Sequence, residues 1–355
     1  MSRAPLWRKL LLSLAALALL AVAGEIAGRL WLAFHAPLPP PPSLTEQVHC
    51  AYDEQLGWRN MPSVARPDIY GKGLSLTTNA RGFRALEEYA PDPPAGRFRI
   101  VCLGDSFTMG YGVDDHDTYP ARLQQLCPTV QAVNMGLGGY GLDQDYLWYL
   151  SDGVALKTDV LLFAFIDADF NRLAMDQFGG FPKPRADLDG EQLVVRNVPV
   201  PRVFTTRDLQ PTAWTTFVEG LALWKLSRPV FARVLPAGRT EEQLLATFAV
   251  AGRLFDELAR LSAERGQAFV MAYLPTSTLA GQPPTRFALW ARDHAAARHV
   301  PFVDMGAAFA GLPATDLPRH FLPDRHFSAT GAGFVARTLL AELHRLLPAF
   351  PACPG

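Results

Sequence analysis

From about residue 98 onward, continuous apolar runs of strand length alternate with stretches in which apolar residues recur at helical spacing. The apolar runs predict five strands, at residues 99–103, 130–133, 160–166, 269–274 and 301–304. Helices are predicted at residues 118–126, from 145 to about 150, and at 240–265, 287–297 and 330–347. Runs that are apolar on both faces and separated by helices are typical of a buried parallel sheet. The pattern therefore predicts a three-layer α/β/α fold around a central five-stranded, mostly parallel sheet.

Two segments interrupt this alternation. Residues 50–97 contain scattered Gly and Pro, which predicts an N-terminal arm of short strands and turns before a main domain at residues 98–350. Residues 172–236 are rich in Pro and Gly and carry a hairpin-like Asp189-Gly190 turn, so we interpret them as an insertion in that domain. Insertions near the ligand-binding face of a sheet often shape the substrate pocket.

The first residues have the pattern of an export signal. Arg3, Arg8 and Lys9 precede an uncharged stretch, rich in Leu and Ala, over residues 10–24. Positive charge ahead of an apolar run is typical of exported chains, and the basic end stays in the cytoplasm. We therefore expect residues 1–34 to be a signal peptide or a signal-anchor helix.

Residues 21–23, Ala-Val-Ala, resemble the cleavage site of a removed signal peptide. Against cleavage, apolar character resumes over residues 30–34, and with that patch the helix is long enough to cross a bilayer. A buried N-terminal helix of a soluble protein is the third alternative. Either export outcome places the bulk of the chain outside the cytoplasm, on the periplasmic side. The proline-rich residues 35–49 are then a stiff linker between the membrane and the domain.

Composition argues against several partners. The 355 residues carry 33 basic and 34 acidic side chains, a net charge of −1, so no basic excess exists to neutralise nucleic acid. The four cysteines are too few and too scattered for a disulfide scaffold, and none forms the C-x-x-C pair of a structural zinc site. The acidic run at residues 114–117 is interpreted as a solvated loop because no further ligand cluster accompanies it. We therefore expect no metal and no cofactor.

Polar residues and glycines follow the predicted strands, at the edge where a parallel sheet binds its ligands. Ser106 follows the first strand, a glycine-rich stretch at residues 134–141 follows the second, and Asp324 and His326 precede the last helix. A serine hydroxyl becomes a nucleophile when a histidine takes its proton, and a carboxylate orients that histidine. We therefore assign Ser106 as nucleophile, His326 as general base and then acid, and Asp324 as the orienting group. The backbone N–H groups of Ser106 and Gly139 are the expected oxyanion donors.

These blocks resemble those of the SGNH, or GDSL, hydrolases. The Gly-Asp-Ser at residues 104–106 resembles the first block, and residues 134–139 resemble the second, with Gly139 at its oxyanion position. Asp324 and His326 resemble the last block. In the arm, the Leu-Gly-Trp and Thr-Asn-Ala-Arg-Gly-Phe-Arg motifs resemble membrane-anchored or exported bacterial members. The resemblance implies the flavodoxin-like SGNH fold and ester chemistry through a Ser-His-Asp triad.

Two positions depart from the family pattern. The third block normally supplies an Asn side chain to the oxyanion hole, but Ala168 occupies that position, and Asn171 is the candidate substitute. The last block commonly reads Asp-x-x-His, whereas a single residue separates Asp324 from His326. Relatives with the shorter spacing include alginate O-acetylation proteins, which keeps acetyl transfer to a sugar open beside hydrolysis.

The preferred interpretation is an exported, membrane-tethered serine esterase that hydrolyses O-acyl esters, acetyl included, of a cell-envelope carbohydrate or lipid. The same triad with a sugar hydroxyl as acceptor makes an O-acyltransferase. Ala168 motivates a third interpretation, a non-catalytic binding protein on a degenerate SGNH fold. The G-x-G-x-x-G at residues 136–141 is compatible with a dinucleotide enzyme, but it follows the second strand rather than the first.

Overall fold

The computed structural model describes residues 5–35, 48–202, 220–227 and 240–353. The chain divides into two compact units, a smaller one of Met1–Ser43 with Phe204–Glu241 and a larger one of Leu44–Val203 with Glu242–Gly355. Most of the predicted linker, and residues 203–219 and 228–236 of the predicted insertion, lie outside the described residues.

The helices and strands are numbered in chain order. The described strands are β1 (Cys50–Asp53), β2 (Gly57–Asn60), β3 (Ala65–Arg66), β4 (Leu76–Thr77), β5 (Phe98–Gly104), β6 (Val130–Gly136), β7 (Val160–Phe165), β8 (Gln177–Phe178), β9 (Phe181–Pro182), β10 (Arg185–Asp189), β11 (Gln192–Arg196), β12 (Ala268–Tyr273) and β13 (Phe302–Asp304). The described α-helices are α1 (Leu6–His35), α2 (Ser106–Met109), α3 (Tyr119–Leu126), α4 (Leu142–Ser151), α5 (Asp167–Leu173), α6 (Glu241–Glu264), α7 (Arg286–Ala297), α8 (Met305–Ala310) and α9 (Ala329–Leu346). A further short helix over residues 222–227 is called the loop helix.

Five strands form the central sheet in the order β13-β12-β7-β5-β6, and every neighbouring pair in it is parallel. This confirms the predicted α/β/α fold and its five-stranded sheet. In the register of the sheet, Gly104 at the end of β5 lies beside Gly136 at the end of β6. The carboxyl ends of these two strands and of β7 therefore reach the same edge of the sheet.

The apolar runs form strands because successive side chains point to opposite faces and both faces are covered. Leu103 and Phe163 pack on one face, whereas Cys102 and Leu162 pack on the other, and all four are fully buried. Side chains of α4, α6 and α7 cover the first face, and those of α3, α8 and α9 cover the second. Because successive side chains of a strand alternate between the two faces of the sheet, each face has its own hydrophobic core. Helices cover both cores, and this makes the fold three-layered.

A buried arginine connects the N-terminal arm (residues 50–97) to the loop after α2. The Arg84 Nε lies 2.9 Å from Asp115 Oδ1, and its other nitrogens donate to four backbone carbonyls, those of Ser75, Met109, Gly110 and Val113. The neighbouring Asp114 accepts the backbone N–H of Ser75 at 2.9 Å. The interpretation of residues 114–117 as a solvated loop is therefore wrong for Asp115, which is buried because a guanidinium compensates its charge.

The cysteines fall into two kinds. Cys127, just after α3, forms a disulfide with Cys353 near the C-terminus. This pairing could not be predicted from the sequence, because 226 residues separate the two cysteines and only the fold brings them together. Cys102 is fully buried in β5, where it packs as a small hydrophobic side chain, and Cys50 is half-buried.

The smaller unit contains α1, a helix of 30 residues. Within the described ranges, its stretch Trp7–Trp31 is the one segment long and apolar enough to cross a membrane, with a mean hydropathy of 2.3 over its most apolar window. At 1.5 Å per residue this stretch measures roughly 37 Å, against a hydrocarbon layer of about 30 Å.

Candidate active site

The turn after β5 sets the position of Ser106. Gly104 has φ +149°, and a Cβ there would collide with the Ala164 carbonyl oxygen and the Thr108 side chain, so only glycine fits. Asp105 then caps α2, because its Oδ1 accepts the Phe107 N–H at 2.9 Å. Ser106 is the first residue of α2, and only 5% of its surface is exposed.

His326 lies directly beside this serine. Its Nε2 is 2.8 Å from Ser106 Oγ, although 220 residues separate the two along the chain. The imidazole packs between the rings of Phe107 and Tyr111, with centroid distances of 4.9 and 4.8 Å. These ring contacts restrict the orientation of the imidazole beside the serine hydroxyl.

A tight turn before α9 presents the imidazole. Phe321 and Phe327 pair as an antiparallel bridge, and the Leu322 N–H donates to the His326 carbonyl at 2.8 Å. Arg325, between Asp324 and His326, has φ +82°, a left-handed conformation that costs a non-glycine residue of order 1–3 kcal/mol. The short Asp-x-His spacing is therefore accommodated by an unfavourable backbone conformation at the intervening residue.

The Asp324 carboxylate lies near Nδ1, the second ring nitrogen of His326. Its Oδ1 lies 3.3 Å from His326 Nδ1, at ion-pair distance but without the alignment of a hydrogen bond, and it accepts the His326 backbone N–H at 3.2 Å. The side chain of Asp324 is 44% exposed. Partial burial acts to raise the pKa of Asp324, but the contacts with His326 outweigh it and lower that pKa. The third member of the predicted triad is thus present but held more loosely than the first two.

The glycine-rich loop after β6 is braced from the arm. The Trp58 indole N–H donates to the Gly138 carbonyl at 3.1 Å, and the Tyr140 hydroxyl donates to the Trp58 carbonyl at 2.5 Å. Gly139 has φ +78°, and a Cβ on it would lie 2.7 Å from the Phe178 ring. Among the described residues, nothing accepts a hydrogen bond from the backbone N–H of Ser106 or of Gly139. Both predicted oxyanion donors therefore keep their N–H groups uncommitted.

The segment after β7 carries the first of the two departures from the family pattern, the one at Ala168. Ala168 lies in the first turn of α5, is half-buried and offers no side-chain donor. Asn171, the candidate substitute, is half-buried one turn later in the same helix. Its role as an oxyanion donor remains a prediction.

Arg172 contacts all three segments that follow β5, β6 and β7. It was not among the residues singled out from the sequence. Its Nη1 lies 2.9 Å from Asp105 Oδ2, 2.6 Å from Asp169 Oδ1 and 3.0 Å from the Tyr140 carbonyl oxygen. Burial acts to lower the pKa of this guanidinium, but the charges of Asp169 and Asp105 outweigh it and raise the pKa. The arginine thus connects the serine turn, the glycine loop and the β7 loop.

The same region holds more negative than positive charge. Asp145 in α4 is fully buried, and neither of its carboxylate oxygens has a hydrogen-bond partner among the described residues. Burial, followed by the charges of Asp169 and Asp105, raises the pKa of Asp145 well above its usual value. Burial likewise raises the pKa of Asp169. The charge of Arg172 only partly offsets these carboxylates.

A second buried ion pair lies nearby but does not touch the serine turn. Lys183 Nζ is 2.7 Å from Asp143 Oδ2, and both side chains are fully buried. The ammonium also donates to the backbone carbonyls of Pro184 and Met175 at 2.7 and 3.1 Å. This pair fastens the β10 hairpin to α4, and Lys183 Nζ also lies 3.3 Å from the backbone carbonyl oxygen of Arg172.

The cavity beside Ser106 is small. Its volume is about 10 Å³, which holds roughly one water molecule. The wall is formed by Ser106, Phe107, Gly110, Tyr111, Val113, Tyr119, His326, Phe327 and Ala332. Within the described ranges, no group of three or more His, Cys, Asp or Glu side chains is arranged to hold a metal ion.

No protein-family model and no curated protein matches this chain. Among solved structures, a protein from Desulfitobacterium hafniense described as lipolytic and of the G-D-S-L family is 16% identical, with a TM-score of 0.40, and covers 71% of this chain and 100% of its own. An acetylxylan esterase from Geobacillus stearothermophilus is 15% identical, with a TM-score of 0.41, and covers 72% and 95%. An α/β-hydrolase from the Lake Arreo metagenome is 16% identical, with a TM-score of 0.41, and covers 71% and 98%. At these values the similarity concerns the fold alone.

Proposed function

We propose that this protein is an exported serine esterase of SGNH type, with Ser106 as nucleophile, His326 as general base and Asp324 as the orienting carboxylate. The observation that carries the proposal is the 2.8 Å distance between Ser106 Oγ and His326 Nε2 at the carboxyl edge of a parallel sheet. A histidine nitrogen within hydrogen-bond reach of a serine hydroxyl is the geometry required for nucleophile activation.

The reaction follows from this geometry. As Oγ attacks the ester carbonyl carbon, His326 Nε2 takes the hydroxyl proton, and the backbone N–H groups of Ser106 and Gly139 stabilise the tetrahedral oxyanion. The C–O bond to the leaving alcohol then breaks, and the alcohol receives the proton from Nε2. A water molecule repeats the sequence on the acyl-enzyme, which releases the carboxylic acid and regenerates Ser106.

The shape of the site favours a short acyl group. A cavity of about 10 Å³ beside the nucleophile admits a methyl-sized group only after its aromatic walls shift, and it has no room for a long chain. Acetyl esters of a cell-envelope carbohydrate or lipid are therefore the proposed substrates. The esterase names of the similar structures agree with this choice, but the proposal does not depend on them.

Two features support a location outside the cytoplasm. The Cys127–Cys353 disulfide is of a kind that persists in oxidising compartments and is rare in the cytosol. The basic residues before the apolar stretch of α1 favour a cytoplasmic N-terminus. We propose that α1 remains attached as an anchor with the larger unit on the periplasmic side.

The proposal is tested with the full chain in detergent. We expect covalent labelling by a fluorophosphonate and turnover of p-nitrophenyl acetate, with both lost in Ser106→Ala by at least about 10³-fold. The matched control is Ser151→Ala, which removes an exposed hydroxyl at the end of α4 and keeps both signals. Activity retained by Ser106→Ala would refute the assignment, and a folded wild type that takes no label would favour the degenerate binding protein.

An O-acyltransferase is the second candidate, and the short Asp-x-His spacing of Asp324 and His326 favours it. The acyl-enzyme forms in the same way, but a sugar hydroxyl replaces water as the acceptor. Partition of the acetyl group between water and added saccharide decides between the two. Acetylated saccharide in excess of free acetate identifies a transferase.

A further inference from the structure

The loop helix is joined to α1 through a carboxylate. Glu25 accepts the backbone N–H of Ala222 at 2.8 Å and that of Leu223 at 3.0 Å. The Arg29 Nε lies 2.8 Å from the same carboxylate. The first N–H groups of a helix have no acceptor inside that helix, so Glu25 satisfies donors that the loop helix leaves open.

Close packing accompanies these polar contacts. A Cβ on Gly28 would lie 3.0 Å from the Ala222 Cβ and 3.2 Å from Leu226, and one on Gly24 would lie 3.4 Å from Leu223. Two glycines four residues apart let helices approach closely, which is a common way of packing inside membranes. We call this contact of Gly24, Glu25 and Gly28 with the loop helix the seam. It leaves no room for a larger side chain at Gly28.

This seam lies within the candidate membrane span. Gly24 and Gly28 belong to the last third of Trp7–Trp31, and Arg8 lies near its other end. At 1.5 Å per residue, Gly24 is roughly 24 Å along the helix from Arg8, close to the far boundary of a hydrocarbon layer about 30 Å thick. An ionised Glu25 at that depth is costly unless its oxygens are satisfied, and two amides and Arg29 satisfy them.

The loop helix extends the apolar surface of the span. Leu223 and Trp224 are each 41% exposed, and Lys225 beside them is exposed as well. On α1, Ile26 and Leu30 near the seam are 56% and 58% exposed. Tryptophan next to a lysine, continuous with an apolar helix, is the composition found at a bilayer interface, where the ring lies at headgroup depth and the ammonium reaches water.

We propose that the loop helix is a second membrane-contacting element, which binds the lipid at the boundary of headgroups and acyl chains beside the periplasmic end of α1. The bilayer is what covers the exposed apolar surface of the loop helix, because that surface continues the apolar surface of the membrane span itself. The inference rests on the proposed retention of α1 as an anchor. It implies that the protein touches its membrane through two segments far apart in sequence, one that crosses it and one that lies on it.

The test measures the depth of Trp224 in the full chain, reconstituted in phosphatidylcholine vesicles. Brominated acyl chains quench tryptophans that contact lipid, and we expect Trp224→Phe to remove a clear share of the quenched signal. The matched control, Trp290→Phe, removes a half-buried tryptophan of α7 and leaves the quenching unchanged. Equal quenching in wild type and Trp224→Phe, together with quenching of Trp224 by aqueous acrylamide, would overturn the proposal.

A second variant tests the seam without relying on Trp224 alone. Glu25→Leu removes the acceptor of both amides while leaving α1 apolar, so we expect Trp224 to lose at least half of its lipid quenching. Glu264→Leu, which removes an exposed carboxylate at the end of α6, is the control. Unchanged quenching in Glu25→Leu would contradict a Glu25-dependent seam.

The outcomes separate this inference from the proposed activity. We expect Ser106→Ala to keep the lipid quenching of the wild type whether or not the esterase assignment is correct, because Trp224 plays no part in that chemistry. Mass spectrometry of the membrane-extracted protein reads the N-terminus directly. A mature chain that begins after residue 23 would overturn the anchor and this inference together, and it would leave the esterase assignment intact.

Discussion

The two sides of the Ser106–His326 dyad are held in different ways. On the serine side, Asp105 is 1% exposed, caps α2 and binds Arg172, whose side chain is 12% exposed, and glycines let the strand ends approach. On the histidine side, Asp324 is 44% exposed, and the turn depends on a left-handed Arg325 and one isolated antiparallel bridge between Phe321 and Phe327. Packing and buried charge therefore fix the proposed nucleophile, whereas local backbone conformation fixes the proposed base.

The difference indicates where the site can tolerate change. A buried ionic contact that loses one partner leaves the other charge stranded, at a cost of about 3–5 kcal/mol. A half-exposed carboxylate is replaced by water at much lower cost. Changes on the serine side should therefore affect stability and catalysis together, and changes on the histidine side should affect catalysis more than folding.

The largest expected effect is that of Arg172→Met. We expect both a loss of stability and a drop in kcat of about 10² per folded molecule, because small misplacements of reacting groups cost about that much. Lys183→Met is the control, since it breaks a buried Asp–Lys pair that meets Arg172 at its backbone carbonyl rather than at its guanidinium and does not touch Asp105. Active-site titration with a fluorophosphonate corrects for the folded fraction. Equal kcat in the two variants after this correction would mean that Arg172 is structural only; partial rescue by Arg172→Lys would support its positioning role.

The second effect concerns the unpartnered Asp145. Because burial raises the pKa of Asp145 and Asp169, their stabilising contribution is complete below the unfolded-state pKa of about 4 and is lost as pH rises through the folded-state values. Asp145→Asn removes one such charge, so we expect about 1–3 kcal/mol of added stability at pH 7 and little change near pH 4. Urea unfolding at both pH values measures it. A loss of stability at pH 7 would indicate that the ionised carboxylate has a partner.

The smallest effect is expected for Asp324→Asn. The carboxylate is half-exposed and poorly aligned with Nδ1, so we expect kcat to fall by about tenfold with little change in unfolding. Since His326 lowers the pKa of Asp324, its small contribution to stability is present above an unfolded-state pKa of about 4 and is lost as pH falls through the folded-state value, opposite in sign to Asp145. A drop of about 10⁴ would show instead that the turn tightens when substrate binds.

The sequence predicted the sheet well because its strands are buried on both faces and read as unbroken apolar runs. It also predicted that Ser106 and His326 would meet, because residues after neighbouring parallel strands share one edge and the blocks resemble a known family. It did not predict the roles of Arg172 or Arg84, because a lone arginine in a polar stretch does not reveal which distant carboxylate it binds. The Cys127–Cys353 pairing depends likewise on tertiary contacts.

The bracing of the glycine loop by Trp58 has a practical consequence. A recombinant protein trimmed to begin at the first strand of the main sheet would contain every predicted triad residue. It would nevertheless lack both hydrogen bonds that connect Trp58 to Gly138 and Tyr140. Its glycine-rich loop after β6 would lose support from outside the sheet, so such a fragment could fold and still lack the proposed activity.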